Sequence, residues 1–404
     1  MAQPKVPVDL ILKNLTEEAE SAQKRMGKAA DVLLGDLKTD IATTPYEVVY
    51  QQDRVKLKHY KPIKEKKVKT PLLLIYALIN RETMLDLSPG RSVVENFLQQ
   101  GVDLYMIDWG YPTRKDRFLG IDDHVNVYIN DIVDFIRERE NVPKINLMGI
   151  CMGGTFSVMF SALHPEKIQN LITTVTPTRF DIDTGLLNLW MRKVPVDQLT
   201  NTFGNIPGDF LNLGFLLLNP ARLMIDKYVG FCEHLDDKQF VENFIRMEKW
   251  IFDSPDIPGE TFREFIKDCF QDNLLIQNKM VVGGKRVDLK KLTMPLLNIY
   301  GKFDHLVPPE ACDQLTKKVG SKDTEDICMK TGHIGIYVSS KCQREFVPKI
   351  TQWLLERDMP PAERSRGSVA KLKSAKRQTT AKVATDSARA VNQHYEKERA
   401  YDQG

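Results

Sequence analysis

The six cysteines are few and scattered. Cys151, Cys232, Cys269, Cys312, Cys328 and Cys342 form no Cys-x-x-Cys pair and no zinc-ligand spacing, which excludes a zinc ribbon and a disulfide framework. Long apolar runs are also missing. The greasiest stretch, Leu211 to Leu218, is far shorter than the roughly 20 residues of a membrane helix, so no transmembrane segment is expected. The first residues lack an apolar core of signal-peptide type, so no secretory signal is expected either. Free thiols then fit a reducing cytoplasm. Charge of one sign is scarce: 57 Lys and Arg stand against 54 Asp and Glu, net +3. That balance gives the body of the chain no nucleic-acid signature, and no nucleic-acid partner is expected.

Against these absences one short segment stands out. Gly149-Ile150-Cys151-Met152-Gly153 follows the apolar run Ile145-Asn146-Leu147-Met148 directly. A strand, a tight turn with small neighbours and a helix make a nucleophile elbow, here with cysteine in the place usually taken by serine. A thiol suits acyl transfer from thioesters, because the attacking and leaving atoms are both sulfur. The competing reading is an ordinary tight turn around a buried structural thiol.

Chain order separates the two. In an α/β-hydrolase the nucleophile is followed by an acid and then a histidine. Pro295 to Gly301 reads as a buried strand, and Asp304 lies just past its end, at the carboxyl edge where open α/β sheets place their sites. A further short strand around Asp326–Met329 runs into Gly332-His333-Ile334-Gly335, a tight turn from which an imidazole projects. The candidate catalytic set is therefore Cys151, Asp304 and His333. Taken singly, Asp304 also fits a turn or helix-start aspartate, and His333 a loop histidine bonded to backbone. His305 either lines the site or caps a turn. His59, His124, His164 and His394 lie in a lysine-rich strand, a helix start, a helix end and the tail, and His234 reads as structural.

The pattern divides the chain into four parts. Residues 1–45 hold an N-terminal amphipathic helix over 8–36, with Leu15, Met26 and Leu33 on its apolar stripe. It either packs on its own domain or docks a partner. A hairpin over 46–60 precedes α/β alternation that predicts an α/β fold with a mostly parallel sheet, the catalytic core spanning 46–176 and 292–358. Between them, 177–291 is long, helical and aromatic, and it interrupts the core where a cap would cover the site. Residues 359–404 form a basic tail poor in large apolar residues, expected to be disordered: a solvated extension, or a contact for an anionic surface.

Three segments carry a family resemblance: Tyr76-Ala77-Leu78-Ile79-Asn80-Arg81 with Met84-Leu85-Asp86-Leu87, Ile107-Asp108-Trp109-Gly110, and Gly149-Ile150-Cys151-Met152-Gly153-Gly154. Together with Asp304 and Gly332-His333-Ile334 they resemble the polyhydroxyalkanoate synthases, in particular the shorter two-subunit (class III) type, over residues 40–358. The tail beyond Met359 departs from that type.

The resemblance implies an α/β-hydrolase fold with a large helical cap insertion. It implies a substrate, 3-hydroxyacyl-coenzyme A of short chain length such as 3-hydroxybutyryl-coenzyme A, polymerised to polyester with release of coenzyme A. Cys151 would attack as thiolate, His333 would take its proton, and Asp304 would orient His333 or help activate the incoming hydroxyl. The oxyanion donors would be the amides of Met152 and Ile79. No metal and no prosthetic cofactor is implied, coenzyme A being part of the substrate. The implied partners are a companion helical synthase subunit, a second copy of the chain in a dimer, and the surface of a cytoplasmic polyester granule. Two other readings stand beside this one: a cysteine-dependent hydrolase or acyl-coenzyme A thioesterase, and a non-catalytic granule-binding scaffold.

Overall fold

The apolar runs of the sequence become neighbours in one sheet. In the computed structural model, residues 27–358 are described. The chain divides into two units, Met1–Thr351 and Gln352–Gly404, and of the second only residues 352–358 are described. Residues 27–34 are helical; the earlier part of the expected amphipathic helix and the tail from 359 lie outside the described residues.

The sheet has eight strands, taken here as β1 (Glu47–Gln52), β2 (Val55–Tyr60), β3 (Leu72–Ile75), β4 (Leu104–Asp108), β5 (Ile145–Ile150), β6 (Ile168–Thr174), β9 (Leu296–Gly301) and β10 (Thr324–Met329). A separate two-residue hairpin, β7 (Val281–Val282) and β8 (Lys285–Arg286), stands apart. The order is β1-β2-β4-β3-β5-β6-β9-β10. The β1–β2 and β2–β4 pairs are antiparallel and the rest of the sheet is parallel. Every residue of β3, β4 and β5 is buried, which is why these segments read as continuous apolar runs without alternation.

Helices join the parallel strands, as such crossovers require. Helix α1 (Val93–Gln99) starts at Ser92, whose hydroxyl accepts a 2.9 Å bond from the Glu95 amide. Before α2 (Asn130–Arg139) the chain is wound as a π-helix over Asp123–Ile129. Helix α3 (Met152–Leu163) follows β5, and only its last residue escapes full burial.

Between β6 and β9 runs the long insertion. It contributes α4 (Leu186–Met191), α5 (Val196–Phe203), α6 (Gly208–Leu217), α7 (Lys227–Glu233), α8 (Lys238–Phe252) and α9 (Gly259–Glu264), which continues into a π-helix over Phe265–Gln271. Its aromatic residues split into two groups. Phe203, Phe210 and Tyr228 are exposed, whereas Phe265 and Phe270 are buried against Phe180, and Phe265 meets Phe156 of α3 edge-on. After Gln271 the helical pattern stops, and the small hairpin occupies part of the remainder.

Candidate active site

The elbow is built by steric demand. Cys151, between β5 and α3, is held at φ 53°, ψ −124°, a conformation that costs a side-chain-bearing residue of order 1–3 kcal/mol. Its amide donates to the Thr174 carbonyl on β6 at 3.0 Å, which anchors the turn to the sheet. The glycines that follow leave no room for a side chain. A Cβ on Gly153 would lie 2.4 Å from the carbonyl oxygens of Ile75 and Tyr76, and one on Gly154 would lie 1.9 Å from Thr176 Oγ1. The start of α3 therefore presses against the loop that leaves β3 and carries Ile79. The Met152 amide opens α3, so by position it has no carbonyl partner within the helix.

Asp304 and His333 arrive on adjacent strand ends. Lys302 donates to the Met329 carbonyl at 2.7 Å and Phe303 to that of Thr331 at 3.0 Å, so the loops after β9 and β10 run together. Gly301 permits this: a Cβ there would stand 2.7 Å from the Thr331 carbonyl. The Asp304 side chain is fully enclosed. Its Oδ1 accepts the amides of Leu306 (2.9 Å) and Val307 (2.8 Å), and its Oδ2 lies 2.7 Å from His333 Nδ1. Those two amides fix the carboxylate, and the carboxylate fixes the ring.

Cys151 is the next group to act on the His333 ring. Burial opposes a charge on the imidazole, but the Asp304 carboxylate outweighs it through charge and hydrogen bond. With a smaller contribution from Cys151, the His333 pKa is pushed up to about 10. An imidazole this basic is protonated at neutral pH, so it holds the proton that a thiol beside it gives up. Cys151 itself is half-buried and packs with Leu306 against Ile182, Val307, Ala311 and Cys312. The structure thus brings Cys151, Asp304 and His333 together, with Met152 at the elbow and Ile79 on the adjoining loop. His305 sits half-buried beside them, its pKa lowered by burial and further by the charges of His333 and Arg222.

The remaining histidines fall elsewhere. His124 is buried among Trp109, Tyr128 and Phe156 with Nδ1 2.8 Å from the Gly120 carbonyl. Burial lowers its pKa to about 4. His59, Asp103 and Glu140 bring their ligand atoms within 4.8 Å of one another, at the sheet edge opposite the elbow. The Lys66 ammonium already serves this group as its cation, 2.7 Å from Asp103 and 3.6 Å from Glu140.

Sequence reasoning missed the framework under the Ile79 loop. Arg81 places one guanidinium nitrogen 2.9 Å from both oxygens of Asp108, and Lys58 bonds Glu82 (2.6 Å) and Asp108 (3.0 Å). Lys58, Glu82 and Asp108 are buried and Arg81 is half-buried, and the two cations compensate the two anions. Trp109 Nε1 donates to the Tyr76 carbonyl at 2.9 Å. The Asp-Trp-Gly segment thus supports the loop from beneath. Lys56 and Lys58 alternate with Val55 and Leu57, which reads as a solvent face, so nothing in the sequence signals that Lys58 is buried while Lys56 is exposed.

With this geometry in view, the comparisons with known proteins are specific. The alpha/beta hydrolase fold profile matches residues 70–339, and the profile of the poly-beta-hydroxybutyrate polymerase (PhaC) N-terminus matches residues 8–97. The poly(3-hydroxyalkanoate) polymerase subunit PhaC of Allochromatium vinosum is 46% identical over 353 residues, 87% of this chain and 99% of that one. The subunit of the same name from Synechocystis is 45% identical over 78% of this chain and 86% of its own length. Among solved structures, a monoacylglycerol lipase from Paleococcus ferrophilus superposes with a TM-score of 0.49 at 16% identity, over 74% of this chain and 99% of that one. At the identity and coverage of these polymerase subunits, the chain belongs to the poly(3-hydroxyalkanoate) polymerase (PhaC) family.

Proposed function

We propose that the chain polymerises 3-hydroxyacyl-coenzyme A into polyester through an acyl-enzyme on Cys151. As a member of its family it is an acyltransferase-type enzyme. The observation that carries the mechanism is the buried pair of Asp304 and His333, 2.7 Å apart, with the elbow thiol of Cys151 acting on the same ring. His333 takes the thiol proton, the thiolate adds to the thioester carbonyl, and the oxyanion is met by the amides of Met152 and Ile79. Collapse breaks the bond to coenzyme A, which leaves as thiol with the proton from His333. The hydroxyl of a second acyl unit then attacks the acyl-enzyme, giving its proton to His333 while an ester forms and the Cys151 thiolate is released.

Asp304 keeps His333 basic and oriented in both halves of the cycle. No step calls for a metal or a prosthetic group. Ile182, Leu306 and Val307 around the thiol make an apolar wall that disfavours water, and the short acyl chain is what the resemblance to the two-subunit type implies. In this reading 177–291 is a cap over the site, 46–176 and 292–358 are the catalytic core, and the exposed Leu186, Trp190, Phe203, Phe210 and Leu213 face a second copy of the chain or the granule surface. No helix among the described residues is long and apolar enough to cross a membrane, so attachment to a cytoplasmic granule would be peripheral. The class III assignment adds a companion helical subunit.

Incubation with 3-hydroxybutyryl-coenzyme A, following free thiol and turbidity together, tests the reading. Thiol with insoluble polymer is expected. Thiol alone would mean a thioesterase or hydrolase, and neither signal would mean a scaffold.

A further inference from the structure

The second oxyanion donor, Ile79, precedes a residue whose backbone is unusual. Asn80 has φ 57°, in the left-handed region that asparagine tolerates better than most side chains. Its side chain does not bond its own turn. It reaches into the insertion, where Nδ2 donates to Ser254 Oγ at 2.6 Å and to the Ile251 carbonyl at 3.5 Å. Ser254 is held in turn by Asn212 of α6 and by the Ile251 carbonyl. One residue on, the Arg81 carbonyl accepts Trp250 Nε1 of α8 at 2.8 Å, while the Arg81 guanidinium grips Asp108 in the core. The tripeptide 79–81 is therefore fixed from the core below and from the insertion above.

We propose that Asn80 is a positioning residue for thioester cleavage. Its bond to Ser254 holds the left-handed turn that aims the Ile79 amide at the developing oxyanion, so the donor is in place only when the insertion is seated. This rests on the polymerase reading given above. The geometry makes it consequential, because an oxyanion donor must lie within about 2.7–3.1 Å of the oxygen. A displacement near 1 Å costs on the order of a hundredfold in rate.

The test compares the wild-type enzyme with Asn80→Ala, Asn80→Gly, Ser254→Ala and Ser254→Thr. Single-turnover release of coenzyme A from 3-hydroxybutyryl-coenzyme A is measured with enzyme in excess, giving a maximal rate and a half-saturating concentration. The rate of Cys151 alkylation by iodoacetamide is measured beside it; that reaction needs an activated thiol but no oxyanion hole. Asn80→Ala is expected to lower the maximal rate about 10–100-fold with little change in half-saturation. Ser254→Ala should lower it by a smaller factor, and Ser254→Thr, which keeps the hydroxyl, should restore it. Alkylation should stay at the wild-type rate throughout. Glycine accepts the left-handed turn but not the tether, so Asn80→Gly should remain impaired.

Full activity in Asn80→Gly would overturn the inference, because backbone conformation alone would then suffice. Parallel loss of alkylation and acylation would overturn it too, as a general structural defect. A wild-type enzyme that releases coenzyme A, with variants equal to it, removes the role of Asn80 and leaves the polymerase reading standing. A wild-type enzyme that releases none removes both.

Discussion

Asp304 and His333 come from different strand ends, 29 residues apart, yet Oδ2 and Nδ1 are 2.7 Å from each other and the carboxylate has no exposure to solvent. The pair raises the imidazole pKa to about 10. Replacing the carboxylate by an amide in Asp304→Asn removes the charge and lowers that value. His333 then accepts the thiol proton less readily, so alkylation of Cys151 by iodoacetamide should slow near neutral pH and its pH profile should move upward. If Asp304 also helps the incoming hydroxyl, polymer yield should fall further than first-turnover release of coenzyme A. Equal losses would mean that it acts through His333 alone.

The same shift sets a pH window for stability. The folded-state value lies above the roughly 6.5 of an unfolded histidine, so the stabilisation is complete below about pH 6.5. It is lost as the pH rises through about 10. Urea midpoints of the wild type should therefore decline between neutral pH and pH 10 more steeply than those of His333→Gln. Parallel curves would show that the pair contributes nothing to folding.

Cys151→Ala should fold and should release no coenzyme A beyond background, since the backbone strain at φ 53° is carried by the elbow and not by the sulfur. Cys151→Ser should be weaker than wild type by about a hundredfold or more, because a hydroxyl is far harder to deprotonate than a thiol. Mass spectrometry of the protein after exposure to substrate should find the acyl adduct on Cys151 in the wild type and none in Cys151→Ala.

Gly153→Ala tests the elbow sterically. The new Cβ would meet two main-chain oxygens at 2.4 Å, and neither can swing away as a side-chain end would. A loss of about 1–3 kcal/mol is expected from overpacking, read as a lower urea midpoint, together with collapse of the acylation rate. A variant with wild-type stability and rate would show that the helix start has room to move.

Much of this site was legible in the chain because its chemistry is local. The elbow needs glycines at fixed offsets from Cys151, and Asp304 and His333 each sit a few residues past an apolar run, so order and spacing were enough to group the three residues as candidates. The fully buried β3 and β5 were equally plain. What stayed hidden depends on partners distant in sequence. Lys58 finds Glu82 and Asp108, and Asn80 reaches Ser254 across 174 residues; no local pattern encodes either. The fate of Phe265 and Phe270 was hidden for the same reason. Their helical spacing looks like the rest of the insertion, but their contacts are with Phe156 and Phe180.

Near the site the insertion is tied to the body of the chain through Asn80, Arg81 and Tyr111, and elsewhere through Asn205, Thr261 and Glu264. Its exposed helices α6 and α7 should be the first segments cut in limited proteolysis of the free enzyme. A substrate analogue that cannot be transferred should slow those cuts if the insertion closes on it. Identical cleavage rates with and without the analogue would argue against a moving cap.

Residues 36–44 lie across the insertion and the core at once. The Arg246 guanidinium of α8 donates to the Lys38 and Asp40 carbonyls, and Lys249 bonds Thr39. Thr44 bonds Asp86 through its amide and its hydroxyl. Asp86 follows the short helical turn Glu82–Leu85, next to the Asn80–Arg81 loop. A companion subunit that grips residues 8–36, expected from the sequence to form an amphipathic helix with Leu15, Met26 and Leu33 on its apolar stripe, would therefore pull on a strap leading to both sides of the site. Removal of residues 1–36 should abolish activation by the companion subunit while leaving basal release of coenzyme A measurable. Removal of 361–404 should leave activation intact if the tail is a solvated extension. Full activity of the purified chain alone would refute the two-subunit assignment. Full activation of both truncations would move the docking site onto the catalytic core or the insertion.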